Sequence, residues 1–185
     1  MSLTGCGNAV MSGLFFGAGS SAPPTAQFVK LDSTTQGNWK GVYGADGYNV
    51  IGSSASYPGY VTPAPGGNPL AVWAPAATDT RALQTVSGST RIAASWYTYS
   101  SFTVDLPFTG AGTYQMAVYC LDWDQASRTQ TLQILDANNN VLDTRNISNF
   151  ASGIWVVWSL SGHVQLRMTL TGGANAVMSG VFFAP

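Results

Sequence analysis

Short segments with β-strand character recur along almost the whole chain, at spacings of roughly ten residues. Residues 101–106 and 163–170 alternate apolar and polar side chains, whereas 154–160 is a nearly continuous apolar run, typical of a buried central strand. The sequence has no Glu and only two Lys, so long helices supported by ion pairs are unfavourable. We therefore predict an all-β fold, a two-sheet antiparallel jelly-roll β-sandwich, with an up-and-down barrel as the alternative.

One nonapeptide occurs twice, and its two copies are a whole domain length apart. Residues 8–16 read NAVMSGLFF and residues 175–183 read NAVMSGVFF, so that only Leu14 and Val181 differ. Such a separation exceeds the periods of solenoid and propeller repeats, which indicates a tandem array of domains. We interpret residues 1–3 as an expression leader, 4–16 as the closing strand of a preceding repeat, 17–25 as a linker, and 26–185 as one complete β-sandwich module.

The first copy of the nonapeptide is interpreted as a detached strand, separated from the module that it would complete. Leaving its large apolar side chains in water would cost about 1.5–3 kcal/mol each. We therefore expect a strand-mediated contact through residues 8–16, either with a sheet edge of the same module or with a neighbouring molecule.

The amino-acid composition makes some classes of binding partner and some cellular locations unfavourable. Only 8% of the residues are charged and the net charge is −1, so neither nucleic acid nor an anionic membrane surface is a favoured partner. No apolar run approaches the roughly 20 residues of a membrane span, so we expect no membrane insertion. The low charge and the repeat architecture favour a secreted or cell-surface protein.

Enzyme signatures are largely missing from the sequence. The single histidine, His163, cannot build a metal site with two histidines, and its place on a polar strand face favours a hydrogen-bonding role. There is no GxSxG motif and no glycine-rich phosphate loop. The sequence thus favours a protein without catalytic residues and without a cofactor, except for the calcium alternative considered next.

The most acidic cluster is YCLDWD, in which Asp122 and Asp124 flank Trp123, with Arg128 nearby. Three interpretations are open. The two carboxylates could hold a structural Ca²⁺, which prefers oxygen ligands. One of them could instead cap the turn and pair with Arg128. Least favoured is a glycoside hydrolase-type enzyme, which would need a second carboxylate across a cleft; the candidates are Asp32, Asp46, Asp79 and Asp105.

Aromatic residues set among Gly, Pro and Asn suggest a carbohydrate site. An aromatic ring offers a flat apolar face to a sugar, while neighbouring polar side chains can bind the hydroxyl groups. The predicted glycan-binding residues are Trp39, Tyr57, Tyr60, Trp123 and Arg128. The apolar neighbours of three other tryptophans predict that they are core residues, namely Trp96, Trp155 and Trp158.

The two cysteines leave two interpretations open. Cys120 lies in an apolar strand, which favours a buried free thiol, and a Cys6–Cys120 bridge is the alternative.

Three motifs carry a resemblance that covers nearly all of residues 26–185. They are DxxTxGxWKGxYGxDGY at Asp32–Tyr48, YCLDWD, and GxNAVMSGxFF near the end of the chain. With them the chain resembles an uncharacterised repeat module of large secreted bacterial proteins. Its strand pattern is similar to that of galactose-binding-like jelly-roll modules, many of which bind carbohydrates and some of which hold a structural calcium. The resemblance implies a fold and a class of ligand, and it assigns no binding residue.

These observations lead to one expected function and two alternatives. We expect a non-catalytic, extracellular, carbohydrate-binding-like β-sandwich repeat whose partner is a glycan. A structural or adhesive spacer module of a surface protein is the first alternative, and the hydrolase is the second.

Overall fold

The computed structural model describes residues 22–88 and 90–185, and these residues form a β-rich body. The leader, the first nonapeptide copy, Cys6 and residues 17–21 of the linker lie outside them. The strands of the described residues are β1 (Thr25–Asp32), β2 (Gly47–Val50), β3 (Ser54–Ser56), β4 (Ala64–Pro65), β5 (Leu70–Ala77), β6 (Leu83–Gln84), β7 (Arg91–Thr98), β8 (Ser101–Pro107), β9 (Tyr114–Cys120), β10 (Thr129–Asp136), β11 (Val141–Ile147), β12 (Ile154–Ser161), β13 (His163–Gly172), β14 (Ala176–Met178) and β15 (Gly180–Ala184). No helix long and apolar enough to cross a membrane is present in this part of the chain.

The strands pair in three antiparallel sheets. The six-stranded sheet has the order β1-β12-β9-β15-β2-β3, and the five-stranded sheet has the order β11-β10-β13-β8-β4. A smaller sheet has the order β14-β7-β5, with β6 also paired to β7. Because the chain crosses between the two larger sheets after β8, β9, β11 and β12, the prediction of an antiparallel jelly-roll sandwich is confirmed. The barrel alternative is wrong, since consecutive strands β8 and β9 belong to different open sheets.

The main core lies between the six-stranded and the five-stranded sheet. Trp158 and Met116 of the six-stranded sheet pack in one cluster with Val104, Leu166 and Leu132 of the five-stranded sheet. The alternating pattern of β8 and β13 accounts for this packing, because each of these strands presents one apolar face.

A second core covers the opposite face of the six-stranded sheet. Trp155 and Tyr119 point to this side and pack with Trp39, Tyr43 and Phe182. The continuous apolar run of β12 is therefore explained, because this strand is buried on both faces, as predicted. The smaller sheet and the connection between β1 and β2 form this additional layer, which the two-sheet interpretation does not contain.

The glycine-rich connection 33–46 is held against the sheet by close backbone approaches. A Cβ at Gly37 would lie 1.9 Å from the carbonyl oxygen of Ala82, so no larger residue fits there. The indole nitrogen of Trp155 donates to the Gln36 carbonyl oxygen at 2.7 Å. The first of these contacts explains why position 37 is a glycine.

Some local predictions are confirmed, and others need correction. Residues 52–69, which lack any regular pattern, contain the short strands β3 and β4. Trp155 and Trp158 are fully buried as predicted, whereas Trp96 is only partly buried at the margin of the main core. Cys120 is a buried free thiol, and burial raises its pKa well above the ordinary value.

Asp32 anchors the turn that follows β1, and this role predicts acid-sensitive stability. Partial burial would raise the pKa of Asp32, but the hydroxyl groups of Thr35 and Tyr43 and the amides of Thr34 and Thr35 donate to its carboxylate and hold the pKa well below the ordinary value. The unfolded chain therefore binds the proton at higher pH than the folded one. The contribution of Asp32 is fully present above the unfolded-state pKa of about 4 and is lost as the pH falls below it.

We expect Asp32→Asn to lower the urea midpoint at pH 7, and the difference from the wild type to shrink below about pH 4. Urea titrations between pH 7 and pH 2 measure both. A difference that stays constant down to pH 2 would contradict the assignment.

Candidate functional site

A polar cleft of about 340 Å³ opens at one end of the sandwich. The connection from β9 to β10 and the connection from β11 to β12 build it. Its lining residues are Asp122, Gln125, Ser127, Arg128, Thr129, Asn149 and Ala151. Two of the residues singled out in the sequence, Asp122 and Arg128, thus lie in one cleft. Asp124 contacts the Arg128 side chain.

The floor of this Arg128 cleft is a buried ion pair. Arg128 and Asp122 are 3% and 4% exposed. The Arg128 guanidinium donates to Asp122 and Asp124, and its Nε donates to Asn175 Oδ1 at 2.7 Å. Asp122 also accepts from the backbone amides of Ala126 and Arg128, at 3.0 and 3.2 Å. Because nearly every polar atom of the pair has a partner, the pair is a rigid part of the cleft.

The ionisation of this cluster follows from the same contacts. The hydrogen bond from Arg128 holds the pKa of Asp124 below its ordinary value. Burial alone would lower the pKa of Arg128, but hydrogen bonds to Asp124 and Asp122 outweigh it and raise that pKa. The guanidinium therefore stays charged, and the side chain of Asp124 is also ionised at neutral pH.

Three non-glycine residues of the cleft have left-handed backbone conformations. Their φ angles are 56° at Gln125, 55° at Ser127 and 55° at Asn149. Residues other than glycine rarely adopt this region, and such residues concentrate at functional sites because the strain must be maintained by the surroundings. All three side chains are exposed, and none of them forms a hydrogen bond with another described residue. They are free to bind a polar ligand.

Two tryptophans flank the cleft, each in contact with an arginine. The Arg128 guanidinium lies over the ring of Trp73, 5.4 Å from its centre. Arg81 lies 4.6 Å from the ring centre of Trp123 and donates to the carbonyl oxygen of Ala151 at 2.9 Å. Cation–π contacts of this kind orient both partners. Trp123 is therefore near the cleft, as its neighbours in sequence suggest, but one face of its ring is covered by Arg81.

The geometry of Asp122 and Asp124 does not fit Ca²⁺. Both carboxylates contact the Arg128 guanidinium, whose positive charge lies where a cation would have to be, whereas Ca²⁺ takes six to eight oxygen ligands. Among the described residues there is no group of three acidic, histidine or cysteine side chains able to hold a metal ion. The alternative interpretation, in which Asp122 caps the turn and pairs with Arg128, describes the arrangement.

The carboxylates proposed for a hydrolase also form ion pairs or hydrogen bonds with other side chains. Asp79 pairs with Arg81, which lowers the pKa of Asp79. Asp46 accepts from the hydroxyl of Tyr60 at 3.0 Å, and Asp105 lies 2.7 Å from Nε2 of His163. A general acid needs a raised pKa, which neither Asp79 nor Asp124 has.

Two other predicted aromatic residues, Tyr57 and Tyr60, are not among the residues that line the Arg128 cleft. Tyr60 stacks on Tyr114 with ring centres 3.8 Å apart. Tyr114 begins β9, whereas the cleft lies beyond Cys120 at its other end, about 20 Å away for a strand of this length. Tyr57 accepts a hydrogen bond from Asn49 at 2.7 Å. Both tyrosines are partly buried, and a glycan contact there stays a prediction.

Trp39, one of the predicted glycan-binding residues, is buried. Its side chain is 5% exposed, its indole nitrogen donates to the Gln84 carbonyl oxygen at 2.8 Å, and its ring packs on Tyr48 and Phe182. Trp39 lines a separate cleft of about 410 Å³. Conversely, the sequence analysis missed Gln125 and Asn149. Only their left-handed backbone conformation distinguishes them, and this conformation cannot be read from the residue type.

The chain was also compared with known proteins. No family model matches it, and no curated protein matches it. Among solved structures it is similar to CBM35, a carbohydrate-binding module from Paenibacillus barcinonensis, with a TM-score of 0.35 and 15% identity over 67% of this chain and 98% of that chain. It is also similar to TmCBM61, solved in complex with β-1,4-galactotriose, with a TM-score of 0.23 and 13% identity over 67% of this chain and 88% of that chain.

Proposed function

We propose that the module is a non-catalytic carbohydrate-binding domain that acts outside the cell, and that its glycan binds in the Arg128 cleft. The observation that carries the proposal is the strained rim above a buried ion pair. Gln125, Ser127 and Asn149 present polar side chains that bind no other described residue, and they lie in the same cleft as Asp122 and Arg128, whose own geometry is maintained by further hydrogen bonds. Sugar hydroxyl groups bind well to such preorganised donors and acceptors, because each new hydrogen bond must replace a hydrogen bond to water.

The charge of the cleft favours neutral sugars. Two carboxylates, Asp122 and Asp124, share the single guanidinium of Arg128, so the cluster keeps a net negative charge. A uronic acid or a sulfated sugar would be repelled, whereas neutral hexoses would meet hydrogen-bonding groups only. Repetition of the module would raise a modest affinity through effective concentration.

The test is a screen of neutral and acidic oligosaccharides on an array, followed by calorimetry with the strongest neutral ligand. We expect Asn149→Gly to weaken binding roughly tenfold, equivalent to about 1.4 kcal/mol, because it removes one ligand hydrogen bond. Glycine adopts positive φ without strain, so the substitution should leave the urea midpoint unchanged or slightly raised.

Asn139→Gly is the matched control. Asn139 has a φ of 66° in the hairpin between β10 and β11, outside the cleft, so its replacement should change stability in the same way without any effect on binding. Equal loss in both variants, or no binding to any neutral glycan, would contradict the proposal. The second result would favour the structural spacer instead.

A further inference from the structure

The outer face of the five-stranded sheet carries polar side chains at its centre. Val164, Leu166 and Met168 of β13 point into the main core, so the alternate residues Gln165 and Arg167 point outward. The neighbouring strands β8 and β10 alternate in the same way. Because the three strands pair in register, their outward side chains form rows across the sheet.

Arg167 lies in the middle of this face, on the central strand of the sheet. Its direct neighbours across the sheet are Gln133 on β10 and Thr103 on β8. The next outward residues along β13 are Gln165 and Thr169. All four neighbours are uncharged polar residues, and all are partly exposed. The guanidinium therefore lies among hydroxyl and amide groups.

The Arg167 side chain lacks an acceptor for its hydrogen bonds. Its Nε is buried without a partner, and within the described part of the chain Arg167 forms no ion pair or hydrogen bond. The four other arginines all donate to an acceptor, because Arg81, Arg128 and Arg145 pair with aspartates and Arg91 donates to a backbone carbonyl oxygen. An unpaired donor of this kind is costly, and in a native structure it requires an explanation.

The acidic residue nearest to Arg167 in the register of this sheet is Asp105. It lies opposite Gln165, which makes it a diagonal neighbour of Arg167, at about 7–8 Å for such a pair. Its Oδ1 lies 2.7 Å from Nε2 of His163 instead. The Arg167 guanidinium thus stays open to an acceptor from another molecule.

We propose that Arg167 is the centre of a second binding surface, which takes the anionic group of an acidic glycan, either a sulfate ester or the carboxylate of a uronic acid. The planar guanidinium can donate two parallel hydrogen bonds to two oxygens of such a group. The neighbouring threonine and glutamine side chains can bind the hydroxyl groups of the same ligand. An acidic peptide is the weaker fit, because none of the four neighbours is an apolar residue.

This Arg167 surface is separate from the Arg128 cleft. Thr129, which lines that cleft, pairs with Gly172 at the end of β13. The strand between Arg167 and Gly172 is about 17 Å long. The Arg128 cleft keeps a net negative charge and favours neutral sugars, whereas the Arg167 surface favours anions. The inference therefore does not rest on the proposed function, and each can fail without the other.

Calorimetry with the full-length chain tests the proposal with three ligands, namely a galacturonic acid trisaccharide, a sulfated galactose trisaccharide and the neutral galactose trisaccharide. The acidic ligand that binds identifies the anionic group. We expect Arg167→Gln to weaken its binding tenfold or more, because charged hydrogen bonds are lost. Arg167→Lys should weaken it less, since it keeps the charge and loses only the planar fork. Added salt should weaken the wild-type interaction.

Lys30→Gln is the matched control. It removes the same charge from the chain, but Lys30 lies on β1 of the six-stranded sheet, so the affinity for the acidic ligand should not change. Asn149→Gly should likewise leave this affinity unchanged. Equal losses for Lys30→Gln and Arg167→Gln would overturn the proposal, because they would show general charge attraction only. Failure of both acidic ligands to bind would also overturn it, as would equally tight binding of an acidic peptide.

Asp105→Asn gives an effect in the opposite direction. It removes a negative charge beside the Arg167 surface, so it should strengthen binding of the acidic ligand about twofold at low salt. Calorimetry under the same conditions measures the change. Weaker binding by this variant would contradict the placement of the anion at Arg167.

Discussion

Replacement of Asp122 by alanine is expected to lower the free energy of unfolding by about 3–5 kcal/mol, because it leaves the buried guanidinium of Arg128 without its buried partner. Asp122 is 4% exposed and accepts two backbone amides as well as Arg128, so its removal also releases the turn before β10. Urea unfolding followed by far-UV circular dichroism measures the change. The expected loss is a large part of the stability of a single domain.

Asp124→Ala is the matched control for this prediction. Asp124 contacts the same guanidinium, but its side chain is 46% exposed and solvent screens the contact. We expect a loss of about 0–1 kcal/mol. Equal losses for the two variants would show that the burial of the Asp122–Arg128 pair contributes nothing beyond a surface ion pair.

Replacement of Trp155 by alanine is expected to cost about 3–5 kcal/mol, through the cavity it leaves in the second core. The ring stacks on Tyr43 with centres 4.3 Å apart and contacts Tyr119 at 4.7 Å. Its indole nitrogen binds the Gln36 carbonyl oxygen, so the same residue holds the connection 33–46 on the sheet. Urea unfolding by circular dichroism is again the measurement, because the substitution removes a fluorophore.

Two controls separate the contributions of this tryptophan. Trp155→Phe keeps most of the packing and loses the hydrogen bond, so the expected cost is about 1–3 kcal/mol. Tyr99→Ala removes an aromatic side chain that is 73% exposed and should change stability by less than about 0.5 kcal/mol. A loss for Trp155→Ala no larger than that for Tyr99→Ala would contradict the existence of a second core layer.

The burial of Trp39 illustrates why site prediction from sequence was incomplete. Trp39 lies among glycines and polar residues, a context typical of an exposed loop, and its burial depends on Phe182 and Tyr48 reaching the same face of the sheet. The cluster of Asp122, Asp124 and Arg128 was predictable, because its members are close in sequence. The choice between calcium and an ion pair was not, since it depends on where the guanidinium points.

What the sequence alone determined is the set of strands and the class of fold. Alternation in β8 and β13 and the apolar run of β12 are local patterns. They can be read from the sequence because a side chain that faces the core is apolar. Only the tertiary structure decided the third layer, the cleft and the left-handed residues at its rim. These features depend on contacts between residues far apart in the chain, such as Arg81 with Ala151, and on backbone conformations that side-chain type does not specify.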